Sequence, residues 1–164
     1  MKYIINKGRH YHSLWPFPFW IFLNKKVLEF TAEFDISCKY FFDDLDKFDV
    51  NKLYGLSFGN HHNNSARYGW NYDQKSGNIN LYFYCYVNGE RQMGYLCDVP
   101  LHTKIKCKLS LFNDGYLFGV NGQHAFIQSD CKKKLSFLLH PYFGGNKKAP
   151  HKIKINVNRS TNNR

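Results

Sequence analysis

A chain of 164 residues is long enough for one domain with a real core. Its 18% aromatic content, with 12 Tyr and 15 Phe, suits pleated sheets better than helices. Five cysteines (Cys38, Cys85, Cys97, Cys107 and Cys131) include no CxxC pair and no metal-ligand spacing, which excludes a disulfide scaffold and a zinc ribbon.

Period-2 alternation dominates the chain, and twelve short strands are expected. The first spans residues 2–6. Residues 11–23 form a second, interrupted by Pro16 and Pro18. Its apolar part, residues 14–23, is too short to cross a bilayer and is followed by no small-x-small cleavage site, so neither a signal peptide nor a membrane anchor is expected. Free thiols and no leader together predict a cytoplasmic protein of the producing or infected cell. Residues 27–38 place Leu28, Phe30, Ala32, Phe34, Ile36 and Cys38 on one face of a long half-buried strand. Residues 40–49 carry four Asp in an order that matches no EF-hand loop, and read as a solvated crossing loop.

Strands at 52–59 and 65–72 enclose a dense polar segment, Asn60, His61, His62, Asn63, Asn64, Ser65 and Arg67, punctuated by Gly55, Gly59 and Gly69. A core does not need that density of imidazole, amide and guanidinium. This loop is the first candidate for a binding site, with His61, His62 and Asn64 as polar contacts. Arg67 would clamp a carboxylate or phosphate. Trp70, on the opposite face of the strand by alternation, would supply stacking. The plain alternative is that the imidazoles and amides satisfy backbone groups at a sheet corner while Arg67 pairs with an Asp of 43–49.

Residues 78–87 set Ile79, Leu81, Phe83, Cys85 and Val87 against Asn80, Tyr82, Tyr84 and Tyr86. The row Tyr82, Tyr84 and Tyr86 is the kind of flat aromatic face on which sugar rings and nucleobases stack. Asn88-Gly89, Asn113-Asp-Gly115 and Asn121-Gly122 are hairpin turns linking strands at 92–99, 103–112, 115–120 and 123–128. Strands at 135–143 and 150–157 complete the set, and residues 159–164 read as a disordered tail after a domain of residues 1–158. His140 and His151 flank a Gly144-Gly145-Asn146 turn and would approach one another across it. His10 and His12 share a strand face, but no spacing demands a metal, and no cofactor fingerprint is present.

The formal charge of +11 lies mostly in the second half, where 13 basic side chains stand against 4 acidic ones, so a nucleic-acid partner through that basic half is a further expectation. Against it, Lys104, Lys106 and Lys108 alternate with apolar residues as the solvent face of a strand does. Catalytic motifs are missing, and enzyme chemistry would have to be built on the histidines.

Three blocks are similar to a family of uncharacterised proteins carried by bacteriophages and found in bacterial genomes: 51–70 (NKLYGLSFGNHHNNSARYGW), 84–91 (YCYVNGER) and 141–155 (PYFGGNKKAPHKIKI). Where the family pattern has Asp after Ala-Pro-His, this chain has Lys152, which removes a carboxylate beside His151. The resemblance implies a phage association, with a place on the virion as one option, and implies no activity. The expected fold is an all-β antiparallel sandwich similar to concanavalin-A-like jelly rolls, many of which bind glycans. The expected function is a non-catalytic module for a small polar ligand, a glycan or a nucleotide. A phage interaction protein and a histidine-based hydrolase or lyase are the alternatives.

Overall fold

The computed structural model describes residues 1–13, 20–42 and 48–160. Twelve strands form two six-stranded antiparallel sheets, an all-β jelly-roll sandwich as the alternation predicts. The first sheet runs β1 (Lys2–Ile5), β12 (Ile153–Arg159), β3 (Val27–Phe34), β8 (Ile105–Phe112), β9 (Gly115–Val120) and β10 (Gln123–Gln128). The second runs β2 (Ile21–Leu23), β11 (Leu135–Leu139), β4 (Asn51–Ser57), β5 (Ser65–Tyr72), β6 (Ile79–Val87) and β7 (Glu90–Val99).

The strand at 27–38 ends at Phe34. The Asp35 side chain accepts the Ser37 amide and turns the chain into a short 3-10 helix, Ile36–Cys38. That local carboxylate bond competes with the sheet ladder and wins. Of the strand expected at 11–23, Ile21–Leu23 is observed, while residues 14–19 and the aspartates at 43–46 lie outside the described residues. β12 continues through Arg159, whose guanidinium lies 4.1 Å from the Trp20 ring centre, so the ordered domain extends past residue 158.

Aromatic rings fill the space between the sheets. Phe34 packs on Trp70, Phe30 and Phe118 on Tyr68, and Phe58 stacks on Tyr116. Cys38, Cys85 and Cys107 are buried among them as small apolar groups. One polar pin crosses this layer. The fully buried Tyr68 hydroxyl on β5 lies 2.9 Å from the carbonyls of Lys108 and Gly119 in the opposite sheet, and accepts the Gly119 amide at 3.1 Å.

All eight residues of β5 are buried, on both faces. The inner face carries Ala66, Tyr68 and Trp70 into the core. The outer face carries Ser65, Arg67, Gly69 and Asn71 into a trough on the second sheet. β4 reaches the same trough through a bulge, because Lys52 opposes Gly69 and Gly55 opposes Arg67, so three steps on β4 match two on β5. Gly55 is required there: a Cβ would sit 2.4 Å from the Arg67 Cα and Cβ.

Replacing Tyr68 by Phe is expected to lower stability by about 1–3 kcal/mol, since it strands a buried amide and two carbonyls without their partner. Chemical denaturation with the native fold confirmed by circular dichroism measures this.

Candidate functional site

The trough on the outer face of the second sheet opens into a cleft of about 380 Å3. Its floor is Ser65 and Arg67 of β5. Its walls are Lys52 of β4, Tyr84 and Tyr86 of β6, the loop residues His61 and His62, and the segment Tyr142, Gly144, Gly145 and Asn146, with Tyr11 at the rim.

The backbone fixes this arrangement. Lys52 and Tyr142 exchange both amide–carbonyl bonds at 2.8 and 2.9 Å, so they form a hydrogen-bonded antiparallel pair. Asn51 holds the glycine turn by accepting the Gly144 amide at 2.5 Å while donating to the Tyr40 hydroxyl at 2.9 Å. Asp49 accepts the Asn146 amide. Gly144 has φ +76, and a Cβ there would strike the Lys147 carbonyl at 2.0 Å, so the turn needs glycine.

Arg67 is 9% exposed, and what remains accessible faces the cleft. Its Nη2 donates to the His140 carbonyl at 2.7 Å, while Nε has no hydrogen-bond partner. Among the described residues no carboxylate lies within ion-pair distance of it, since the one pair found there joins Lys108 to Glu29. Burial pushes the guanidinium down to about 10, with Tyr84 and Tyr142 acting in the other direction, so it stays charged at neutral pH. A buried cation with an unused donor and, among the described residues, no carboxylate in ion-pair reach has the chemistry to receive an anion.

Lys52 lies beside it. Its Nζ donates to the Gly144 carbonyl at 3.1 Å and sits 4.9 Å from the Tyr84 ring centre and 5.9 Å from that of Tyr142. Burial first, then the Arg67 charge, pull this amine down to about 8; Asp49 pulls it up, and Arg91 adds a smaller downward pull. Tyr142 is pushed up by burial and by Tyr11, so it holds its proton. His61 is pulled down by burial, then by His62 and Arg67. Its ring centre lies 4.1 Å from that of His62, which in turn packs edge-on to Tyr86.

The residues singled out from sequence divide accordingly. His61, His62, Arg67, Tyr84 and Tyr86 converge on the cleft. Asn64 is structural: its side chain accepts the Asn88 amide and its carbonyl accepts the Phe58 amide, which ties the polar loop to a neighbouring hairpin. Tyr82 bonds Asn71 and packs edge-on to Tyr95, farther along the face. Trp70 is fully buried between the sheets and cannot stack a ligand. His140 turns inward, with Nδ1 2.9 Å from the Tyr3 hydroxyl, and contributes only its carbonyl, to Arg67. His151 bonds the Ser37 carbonyl instead of approaching His140. Among the described residues no three His, Cys, Asp or Glu side chains gather as a metal site would require. Lys52, Tyr142 and Tyr11 were missed as site residues. The one available signal was the glycine-rich run after Tyr142.

No protein-family model matches the sequence, and no curated protein matches it significantly. Solved structures do share the fold. Alginate lyase AlyC3 aligns with a TM-score of 0.60 at 9% identity, covering 97% of this chain and 89% of that one. The polysaccharide lyase family 18 enzyme aly-SJ02 aligns at 0.56 and 9% identity, covering 98% and 88%. A Saccharomyces cerevisiae protein of unknown function aligns at 0.55 and 8% identity, covering 91% and 74%.

Folding lowers the Lys52 pKa, so the unfolded chain binds that proton more tightly than the folded one. The cost is complete below pH 8 and is relieved as pH rises from about 8 towards the ordinary lysine value of 10.5. Lys52→Met should therefore be more stable than the parent at pH 7, by about 1–2 kcal/mol once the lost bond to Gly144 is allowed for. Thermal melts across this range should show the gap closing at alkaline pH.

Proposed function

We propose that the cleft binds an acidic glycan, with a uronate carboxylate on Arg67 and the sugar rings against Tyr84, Tyr86 and Tyr142. The observation that carries this reading is the buried Arg67 with its unpartnered Nε. Lys52 and Arg67 together make the cleft cationic, and among the described residues no acidic side chain lines it. Tyrosine faces are suited to the apolar faces of sugar rings, and their hydroxyls to sugar hydroxyls. A glycan is preferred to a nucleotide because the fold is shared with two polysaccharide-cleaving enzymes, one of them acting on alginate, a polyuronate. A phage-borne or virion-attached protein with such a cleft would meet its ligand on a bacterial surface.

Isothermal titration against oligouronates, with neutral oligosaccharides and nucleotides as controls, tests the proposal. The parent protein should bind the oligouronates alone, more weakly as salt rises. Arg67→Met, which keeps most of the side-chain volume, should weaken binding at least tenfold, as expected for one charge-assisted hydrogen bond. Its melting curve guards against a folding defect, because the His140 carbonyl also loses a partner. Equal affinity for the neutral sugars, or binding unchanged in a folded Arg67→Met protein, would refute the reading.

A further inference from the structure

Resting on the acidic-glycan reading, we propose that the cleft also cleaves its ligand by β-elimination, with Lys52 as the base and Tyr142 as the acid. Elimination next to a uronate carboxylate has three requirements. The carboxylate must be neutralised so that the proton on the adjacent carbon becomes removable, a base must take that proton, and an acid must protonate the departing oxygen. Arg67 meets the first. Lys52 and Tyr142 meet the other two from directly opposed positions on neighbouring backbone segments, where mutual amide–carbonyl bonds set their separation.

The step balances without a metal, an oxidant or water. The Lys52 amine takes the proton from C5, and the C5–H electron pair becomes the C4=C5 double bond. The C4–O4 bond breaks, and O4 takes the Tyr142 phenolic proton. Return of a proton from the Lys52 ammonium to the phenolate, through solvent, restores both groups. The products are one shortened chain and one chain ending in an unsaturated uronate.

The surroundings favour these roles. Lys52 is faced by Asp49 from the preceding loop, Arg67 from β5, Tyr84 from β6, Arg91 from β7 and Tyr142 across the pair. Three of the five are neutral or acidic, yet burial and the two arginines prevail and hold the amine down to about 8. Carboxylate binding would cancel the Arg67 contribution and leave burial, the largest cause, in place. Tyr142 keeps its proton for the same reason of burial. His61 is the more exposed of the two candidate bases, on the loop and packed against His62.

The experiment incubates the full chain with oligouronates of differing C4 and C5 configuration. It follows the ultraviolet absorbance of the new double bond, with binding measured in parallel. The parent protein should form unsaturated ends at a rate that rises as pH passes through about 8. Lys52→Met and Tyr142→Phe should each lose about 100-fold or more in rate, with Tyr142→Phe binding within a few-fold of the parent and Lys52→Met losing roughly tenfold or less in affinity, far less than in rate. His124→Asn, exposed on β10 of the opposite sheet, should retain the parent rate. Binding without unsaturated product would overturn elimination and leave the binding reading standing. Undiminished cleavage by a folded Lys52→Met protein would overturn the assignment of the base. Absence of oligouronate binding would bring down both proposals.

Discussion

The site depends on one constraint: a guanidinium is held in a β-sheet trough where, among the described residues, it has a hydrogen bond to one carbonyl and no carboxylate within ion-pair distance. Burying such a charge without a counter-ion is unfavourable, and a core would not retain it for stability. Everything around Arg67 accommodates that cost. Gly55 leaves space for its stem, the His140 backbone swings its carbonyl over Nη2, and the cleft side stays open. Lys52 then feels both the burial and the Arg67 charge.

The bulge on β4 shows how backbone irregularity creates the site. In regular pairing, one residue on β4 would face each residue on β5, and Lys52 and Gly55 would point to opposite sides. The extra residue brings both to the outer face, one next to Gly69 and the other next to Arg67. Leu53 and Tyr54 between them are both buried. The same segment of β4 supplies the cation of the cleft and, through Asn51, the bond that fixes the glycine turn opposite.

The strands and the sandwich were legible in sequence because period-2 alternation and Asn-Gly or Asp-Gly turns are local signals. The polar loop was also legible, and His61, His62 and Arg67 do line the cleft. What alternation misjudged was depth. Trp70 lies on the side of β5 opposite Arg67, as expected, but that side is the closed core. His140 and His151 are separated because one bonds the Tyr3 hydroxyl and the other the Ser37 carbonyl, contacts between segments more than 100 residues apart. Lys52 escaped notice because a lysine at a strand start is ordinarily a solvated end. Only the bulge and the pairing with Tyr142 turn it into the cleft.

β5 does two things on alternating residues. Its odd positions build the cleft floor, and Tyr68, between Arg67 and Gly69, is anchored to the backbone of two strands in the other sheet. The floor is thus clamped from beneath, and the backbone that presents Arg67 is stiffened by a contact on the far side of the molecule's thickness. Loops at the rim, 60–64 and 144–146, lie outside that clamp. They can be lengthened or exchanged to suit different ligands while the charged floor keeps its geometry, a separation of recognition from chemistry along the axis perpendicular to the sheet.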